Sequence, residues 1–318
     1  MKNFALIGAA GYIAPRHMQA IRATGNRLVA ALDPSDSVGV IDSYFPDSAF
    51  FTEFERFDRH IDKLRRAAGG EEVEYVSICS PNYLHDSHIR FALRSGAHAI
   101  CEKPLVLNPW NIDALIEAEA ASGKSVSTIL QLRVHPAIGA LRERVRAEAR
   151  DGSKHEVDLT YVTARGRWYA YSWKGDEKKS GGIATNIGVH FFDMLHFIFG
   201  GLQESRVHLY EPTRAGGLLE YEQARVRWFL SVEADDLPEP ARGAGQRTFR
   251  SITVDGQEVE FSGGFADLHS RSYELILQGR GFGLETSRCA IETVAAIRTA
   301  HPAAGGGDAH PLVAGLRR

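Results

Sequence analysis

The stretch Gly8-Ala9-Ala10-Gly11-Tyr12-Ile13-Ala14 decides the fold of this chain. It stands between an apolar run from Phe4 to Ile7, which predicts a strand, and a pattern from Ile13 to Thr24, which predicts a helix. Glycine suits a sharp turn at which a pyrophosphate approaches the amides of a helix N-terminus, whose dipole favours an anion. The stretch therefore indicates a strand-turn-helix unit of the dinucleotide-binding kind, with a turn that binds no ligand as the alternative.

Short apolar runs alternate with helical patterns over the first third of the chain. They predict strands at Arg27–Leu32, Val73–Cys79, Ala97–Cys101 and Val126–Leu130, and helices at Leu84–Ser95 and Pro109–Ser122. This alternation is typical of βαβ units, which build a doubly wound parallel sheet with helices on both faces. The overall class is therefore α/β, and residues 1–130 are predicted to form a Rossmann domain.

The second part of the chain has longer strands with alternating polarity. They are predicted at Val157–Val162 and Ala224–Val232 and in a hairpin over Ser251–Phe261, with helices at Pro136–Ala149, His190–Phe199, His269–Gln278 and Glu285–His301. The hairpin is predicted because Asp255-Gly256 is a favoured two-residue turn. Residues 131–318 are therefore predicted to form an α+β domain with an open, mostly antiparallel sheet that binds substrate and mediates oligomerisation.

The composition excludes several classes of protein. The chain has 318 residues, 44% of them hydrophobic and 24% charged, as in globular proteins. Its 37 Lys and Arg against 40 Asp and Glu give a net charge of −3, which offers no general attraction to nucleic acid. Cys79, Cys101 and Cys289 are widely spaced and form no cluster at metal-ligand spacing. We expect a cytoplasmic protein with no bound metal, no membrane span and no nucleic-acid partner.

Asp33 ends the second predicted strand, beside the glycine turn. A carboxylate at this place can accept hydrogen bonds from both ribose hydroxyls of an adenosine, and it would repel a 2′-phosphate. The sequence therefore favours NAD over NADP. The alternative is that Asp33 only begins the turn Asp33-Pro34-Ser35.

Three further motifs carry polar chemistry. Ser80-Pro81-Asn82, followed by His85, closes one predicted strand, and Glu102-Lys103-Pro104 closes the next. The carboxyl ends of parallel strands are where such sheets bind ligands. In the predicted helix that contains His190, the side chains of Asn186 and Asp193 would share its face. Lys103 and His190 therefore suggest an acid–base site, whereas a surface lysine and a histidine satisfied by its own carboxylate are the alternatives.

Together these motifs, in this order and spacing, resemble the glucose–fructose oxidoreductase and inositol dehydrogenase family (Gfo/Idh/MocA). The resemblance covers nearly the whole chain. It implies that Lys103, His190 and the residue four before the histidine are catalytic, and that NAD is the cofactor. It also implies a set of cofactor-binding residues: Gly8, Gly11, Tyr12, Ile13, Asp33, Ser80, Pro81, Asn82, His85, Glu102, Lys103 and Gln131.

The chain departs from the family at Asn186, where other members have an acidic residue. Losing that carboxylate removes a charge that would favour the protonated forms of the neighbouring lysine and histidine. Asn186 can orient a substrate but cannot carry a proton. Whether Lys103 or His190 is the base therefore stays open.

A narrower resemblance comes from the segment between Arg165 and Asp193 and from Gln131-Leu132-Arg133 with His135-Pro136. Both are similar to a branch of the family that oxidises C3 of the uronate in UDP-N-acetyl-D-glucosaminuronate for O-antigen and lipopolysaccharide synthesis. The branch implies substrate contacts by Lys103, Arg165, Arg167, Tyr169, Lys174, Asn186 and His190. Cationic side chains suit a ligand with two phosphates and a carboxylate; a solvated basic loop is the alternative.

The resemblance further implies a homotetramer and the use of 2-oxoglutarate to reoxidise bound NADH. Two other functions remain open on the residues alone. One is an NAD-dependent dehydrogenase of a free sugar or inositol, for which the basic loop would have no ligand. The other is a regulator that binds the cofactor without turnover, against which the presence of both Lys103 and His190 argues.

Overall fold

A computed structural model describes residues 1–67, 71–148, 152–261, 263–264, 267–303 and 307–316. The chain forms two compact units, which are described separately below. The first comprises Met1–Gln131 and Ala266–Arg288, and the second comprises Leu132–Phe265 and Cys289–Arg318. Within the described residues, none of the helices is long and apolar enough to cross a membrane.

The strands and helices are numbered separately in chain order. The strands are β1 (Asn3–Ile7), β2 (Arg27–Leu32), β3 (Ala49–Phe51), β4 (Tyr75–Ile78), β5 (His98–Cys101), β6 (Val126–Thr128), β7 (His155–Thr163), β8 (Leu202–Tyr210), β9 (Arg214–Tyr221), β10 (Ala224–Ser231), β11 (Thr248–Val254) and β12 (Gln257–Glu258). The helices are α1 (Ala14–Ala23), α2 (Phe54–Arg66), α3 (His85–Arg94), α4 (Pro109–Ser122), α5 (Pro136–Ala147), α6 (Trp168–Tyr171), α7 (Glu177–Ser180), α8 (Val189–Phe199), α9 (Glu239–Gly243), α10 (Leu268–Leu277), α11 (Leu284–Thr299) and α12 (Pro311–Leu316).

The sheet of the first unit has the strand order β3-β2-β1-β4-β5-β6, and all of its neighbouring strands are parallel. The predicted doubly wound fold is therefore confirmed. The edge strand β3 and the helix α2 that follows it were not predicted. β3 has only three residues, all of them half-buried, so the sequence carries little of the periodicity that identifies a strand.

Helix α10 lies far along the chain but belongs to the first unit. Its Tyr273 is fully buried and stacks on Phe4 of β1, with ring centroids 5.9 Å apart. Met18 and Ile21 of α1 belong to the same core cluster. This late helix therefore helps to build the hydrophobic core behind the first strand and helix.

The sheet of the second unit has the strand order β12-β11-β7-β10-β9-β8. β7 and β10 are parallel and the remaining pairs are antiparallel, which confirms the predicted mostly antiparallel sheet. The predicted hairpin joins β11 to β12 through Asp255 and Gly256, whose φ angles of 51° and 78° match the preferred two-residue turn. Trp228 of β10 is fully buried, 5.2 Å from the ring of Phe192 in α8, so α8 covers one face of this sheet.

The opposite face of this sheet carries ion pairs between neighbouring strands. Arg227 of β10 contacts Asp158 of β7 at 2.6 Å, and Arg225 contacts Glu220 of β9 at 3.0 Å. The alternation seen in β10 therefore places its apolar side against α8 and its charged side on the other face. At one end of that face, Val313 of α12 packs in a cluster with Phe229.

His310 precedes α12 and is 4% exposed. Its Nδ1 accepts a hydrogen bond from the Leu312 N–H at 3.2 Å, so the other nitrogen, 3.0 Å from the Thr160 hydroxyl, carries the proton. Burial lowers the pKa of His310 to about 4. The folded protein therefore holds this histidine neutral.

We predict that His310→Phe removes part of the acid sensitivity of the protein. Between pH 6.5 and 4 the unfolded chain protonates this histidine while the folded chain does not, so the free energy of unfolding falls as pH falls. Urea titrations measure the free energy of unfolding of both proteins. Relative to that of the variant, the value for wild type should fall by about 1–3 kcal/mol from pH 7 to pH 4.5. His301→Gln, at an exposed site, is the control. A difference that does not depend on pH would contradict the assignment.

Candidate active site

The glycine turn joins β1 to α1 by a close backbone approach. Gly8 has a φ of +92°, and its N–H donates to the carbonyl of Leu32 at 2.8 Å. A Cβ at this position would lie 2.6 Å from the carbonyl carbon of Cys79, and a Cβ at Gly11 would lie 3.0 Å from the oxygen of Gly8. The geometry of the turn therefore requires glycine at position 8, and it leaves a side chain at position 11 only a tight fit.

The N-terminus of α1 suits an anion. Its N-cap residue is Ile13, and among the described residues no side chain caps this helix end and no acidic residue lies in its first turn. The positive end of the helix dipole is therefore not offset by a carboxylate of its own. Tyr12, beside it, is 99% exposed. These features fit the pyrophosphate of a dinucleotide.

Asp33 links the glycine turn to the end of β2. Its Oδ2 accepts from the Ala10 N–H at 2.9 Å, and its Oδ1 accepts from the Ser35 N–H at 2.9 Å. The turn that was the alternative interpretation is thus present. The carboxylate is half-buried at the carboxyl edge of the sheet, and its contact with a ribose stays a prediction.

His85 connects the two motifs that close β4 and β5. Its Nε2 lies 2.8 Å from the carbonyl oxygen of Ser80 and its Nδ1 lies 2.7 Å from that of Pro104. The hydroxyl of Ser80 also lies 2.8 Å from Nδ1 of His88, whose pKa is lowered to about 4 by burial. Asn82 and His85 are both buried, so the predicted cofactor residues Ser80, Pro81, Asn82 and His85 form one ordered turn.

Glu102 lies in a buried hydrogen-bond network that the sequence did not predict. Its Oε1 lies 3.0 Å from Nε2 of His17 in α1 and 3.0 Å from Nε2 of His269 in α10. Nδ1 of His17 lies 2.7 Å from the hydroxyl of Tyr273, which lies 2.6 Å from the hydroxyl of Ser77. The carboxylate therefore faces the interior of the unit.

The same three residues, His17, Glu102 and His269, are of types that bind metal ions, and their donor atoms lie within 4.8 Å of one another. No such group was expected from the cysteine and histidine spacing. The two Nε2 atoms each lie 3.0 Å from the same carboxylate oxygen, an ordinary hydrogen-bond distance. Hydrogen bonding accounts for this geometry.

Lys103 follows Glu102 directly and is half-buried. Its backbone N–H donates to Oε2 of Glu102 at 3.2 Å, and the peptide bond between Lys103 and Pro104 is cis. Lys103 therefore lies at the carboxyl end of β5, in the same unit as the glycine turn, Asp33 and the turn at Ser80. Gln131 is the last residue of the first segment of that unit.

In the second unit, Asn186 lies in a single π-helical turn, Ala184–Gly188, that leads into α8. Such turns interrupt α-helices and often occur at functional sites. The Nδ2 of Asn186 donates to the hydroxyl of Tyr169 at 2.9 Å, and burial raises the pKa of Tyr169. His190 is half-buried, and its ring lies 6.1 Å from that of Tyr161.

Asp193 has a different partner from the one the helix spacing suggested. Its two oxygens accept from Nε and Nη2 of Arg133 at 2.9 and 2.8 Å. Burial raises the pKa of Asp193, and Arg133 opposes that shift. The interpretation in which this carboxylate satisfies His190 is therefore not what the structure supports. Arg133 lies in a motif that the sequence had singled out, but its partner is 60 residues away.

The segment that holds Arg165, Arg167 and Lys174, called the basic segment below, also lies in the second unit. Arg165 and Arg167 are exposed, and the ammonium of Lys174 lies 4.4 Å from the ring centre of Trp173 and 5.7 Å from that of Trp168. A shallow cavity of about 210 Å³ is lined by Thr163, Ala164, Arg165, Trp168, Arg247 and Thr248. Arg247 was not predicted, because it lies far along the chain, beside a neighbouring strand. Contacts of these side chains with a substrate stay predictions.

Two family models match the chain. The model described as an oxidoreductase family with an NAD-binding Rossmann fold covers residues 2–129, and the model for its C-terminal alpha/beta domain covers residues 153–236. The WlbA (WbpB) dehydrogenase of Thermus thermophilus, solved with NAD and UDP-GlcNAcA, is 53% identical to this chain. The match has a TM-score of 0.93 and covers 98% of this chain and 99% of that one. The same enzyme has also been solved with NAD and alpha-ketoglutarate.

Curated relatives are more distant. A 1,5-anhydro-D-fructose reductase from Ensifer adhaerens is 27% identical over 62% of this chain and 56% of its own length. A putative UDP-kanosamine synthase oxidoreductase subunit from Amycolatopsis mediterranei is 29% identical over 70% of this chain and 60% of its own length. These matches therefore span little more than half of the relatives' lengths.

We predict that Gly8→Ala weakens both the fold and NAD binding. The new methyl group would clash with the backbone of Cys79 and Ser80, atoms that cannot move without shifting β4. We expect a loss of about 2–4 kcal/mol in the free energy of unfolding and at least a tenfold higher Kd for NAD.

Gly25→Ala is the matched control, because Gly25 also has a positive φ, +72°, but its Cβ would meet nothing within 4 Å. It should lose only about 1 kcal/mol and keep its affinity for NAD. Chemical denaturation and calorimetric titration with NAD measure both quantities. Equal effects of the two variants would contradict the steric argument.

Proposed function

The chain belongs to the Gfo/Idh/MocA oxidoreductase family, and from that premise we propose that it oxidises the C3 hydroxyl of UDP-N-acetyl-D-glucosaminuronate to the ketone with NAD. The observation that carries the proposal is 53% identity over nearly the full length of an enzyme solved with NAD and this nucleotide sugar. The glycine turn, Lys103, Asn186 and His190 provide the residue types that such a reaction needs.

The first unit supplies the features that would hold NAD. Gly8 and Gly11 let the backbone approach the pyrophosphate, the uncapped N-terminus of α1 favours its charge, and Asp33 offers oxygens to a ribose. NAD supplies the nicotinamide ring that takes up hydride from the sugar carbon. The acidic Asp33 disfavours NADP, because a 2′-phosphate would meet a like charge.

Lys103 and His190 are the groups proposed to handle the proton of the C3 hydroxyl. The amine of Lys103 would hydrogen-bond this hydroxyl, and either Lys103 or His190 would remove its proton as the C–H bond breaks. Asn186 is held by Tyr169 at 2.9 Å and would orient the sugar through its amide. Because an amide does not titrate, Asn186 orients the sugar and takes no part in proton transfer.

The basic segment is proposed to bind the charged parts of the substrate. Arg165 and Arg167 are exposed cations with the geometry to pair with phosphate or carboxylate oxygens. Lys174 is held near two tryptophan rings, so its ammonium is confined to a small region. A free sugar or inositol would leave these cations without a ligand.

Three wider features belong to the same proposal. The first is reoxidation of NADH by 2-oxoglutarate, supported by the Thermus thermophilus enzyme solved with NAD and alpha-ketoglutarate. The second is a cytoplasmic homotetramer, and the third is a role in making diacetamido-uronic acids for O-antigen and lipopolysaccharide. The oligomer is tested by light scattering of the purified protein.

The proposal is tested by mixing the protein with NAD and UDP-N-acetyl-D-glucosaminuronate, with and without 2-oxoglutarate. Absorbance at 340 nm reports NADH, and mass spectrometry reports the sugar. A nucleotide sugar two mass units lighter supports the proposal, and its dependence on the oxoacid identifies the reoxidant. Intact NAD binding with no lighter sugar would instead favour oxidation of a free sugar or polyol.

We predict that Lys103→Ala lowers kcat by about 10²–10⁴-fold with little change in the Kd for NAD, because it removes the group proposed to act on the hydroxyl. Single-turnover absorbance and calorimetric titration measure the two quantities. Lys63→Ala, at an exposed lysine of the same unit, is the control. Wild-type turnover in the Lys103 variant would contradict the assignment.

We also predict that Lys174→Ala raises the KM for the nucleotide sugar about tenfold without altering the Kd for NAD, because one confined cation is lost. Arg146→Ala is the control, since Arg146 is an exposed cation of the same unit but lies on α5, outside the basic segment. Steady-state kinetics separate the two variants. Equal KM values in both would show that Lys174 does not touch the substrate.

A further inference from the structure

Lys103 is bracketed by two residues that histidines hold in place. On one side, Oε1 of Glu102 lies 3.0 Å from Nε2 of His17 and 3.0 Å from Nε2 of His269. On the other side, the carbonyl oxygen of Pro104 lies 2.7 Å from Nδ1 of His85. The chain is therefore fixed immediately before and immediately after the lysine.

The hydrogen atoms of this network can be assigned by donor and acceptor roles. An ionised carboxylate only accepts, so His17 and His269 donate their Nε2–H groups to Glu102. Neutral His17 must then accept at Nδ1, which makes the Tyr273 hydroxyl the donor and leaves its oxygen to accept from Ser77. Ser77, Tyr273, His17 and Glu102 therefore form one continuous chain of hydrogen bonds.

The charge state follows from the surroundings. Burial alone would raise the pKa of Glu102, but the hydrogen bonds from His17 and His269 together hold it well below its ordinary value. Burial lowers the pKa of His17, although Glu102 opposes this shift. The network thus consists of one buried carboxylate held by two histidine donors.

A buried charge of this kind contributes little to the stability of the fold. Ionised groups lose several kcal/mol when removed from water, and apolar side chains of similar size often replace buried ion networks without loss of stability. What such a network does provide is a single geometry, because each donor fits one acceptor. The network fixes the geometry of Lys103, because Oε2 of Glu102 accepts a hydrogen bond from the backbone N–H of Lys103 at 3.2 Å.

We propose that Glu102, His17 and His269 are positioning residues for Lys103: they hold its backbone so that its amine reaches the sugar hydroxyl in one orientation. The inference rests on the proposed function, in which Lys103 acts on that hydroxyl. It gives Glu102 an inward role, in place of direct contact with the cofactor. The inference also gives α10, from late in the chain, a role in the first unit, because α10 brings His269 and Tyr273 to the network.

The sharpest test is Glu102→Gln. The amide oxygen can still accept from both histidines, but the amide nitrogen would replace Oε2 and place a donor against the N–H of Lys103. We expect kcat to fall at least 30-fold, with the KM for the sugar and the Kd for NAD changed less than threefold, because small misplacements of a reacting group mainly slow the reaction. Tyr273→Phe, which removes the hydroxyl between His17 and Ser77, should lower kcat about threefold.

Glu119→Gln is the matched control. Glu119 also anchors a backbone N–H of the first unit, that of Val126 at 2.7 Å, but lies on α4 outside the network. It should keep wild-type kcat. Circular dichroism and NAD titration establish that each variant is folded, and His269→Gln, which keeps an N–H donor, provides a milder change if Glu102→Gln does not fold.

A double-mutant cycle with Lys103→Ala separates positioning from general stabilisation. If the network acts through the lysine, Glu102→Gln should lower single-turnover rates less than threefold in the Lys103→Ala background. An equal loss in both backgrounds, or wild-type kcat in Glu102→Gln and His269→Gln, would overturn the inference. Wild-type turnover of Lys103→Ala would instead overturn the proposed function, so the two failures are distinct.

Discussion

One carboxylate oxygen, Oε1 of Glu102, accepts hydrogen bonds from helices at opposite ends of the sequence of the first unit. His17 brings α1 to it and His269 brings α10. The same α1 begins at the glycine turn, and the same α10 provides Tyr273 to the core beside Phe4. The packing behind β1, the position of the glycine turn and the end of β5 therefore depend on a common polar centre, which places the cofactor features and Lys103 on one rigid frame.

Two buried carboxylates among the described residues, those of Asp193 and Glu102, show two solutions to the same electrostatic problem. Asp193 is paired with a permanent cation, Arg133, yet burial still raises its pKa. Glu102 accepts from two histidines, and their hydrogen bonds hold its pKa well below the ordinary value although burial opposes this. The surroundings also differ: the ion pair joins α8 to the segment before α5, whereas the histidine network joins the end of β5 to α1 and α10.

Local chemistry made much of this architecture predictable from the sequence. The strand periodicity and the glycine turn indicated the parallel sheet, and Asp255-Gly256 indicated the hairpin, because each depends on neighbouring residues. The networks were missed because their partners are remote: Arg133 and Asp193, or His17 and His269, carry no sign in the sequence that they will meet. The π-helical turn at Asn186 was also missed, since helical spacing alone assumes a regular turn. The residue types of the proposed site were visible in the sequence, while the contacts made by their neighbours were not.

The first unit contains residues from both early and late parts of the chain, so the order of synthesis affects when it can be completed. Protein domains usually fold as they leave the ribosome, starting from the N-terminus. Here β1 to β6 emerge long before α10, so until residues 268–277 appear the carboxylate of Glu102 lacks His269 and the ring of Phe4 lacks Tyr273. Part of the interior of the nascent sheet therefore stays uncovered by α10 while the intervening strands of the second unit are synthesised. A unit whose strands are made early is thus completed only by a helix that is made late.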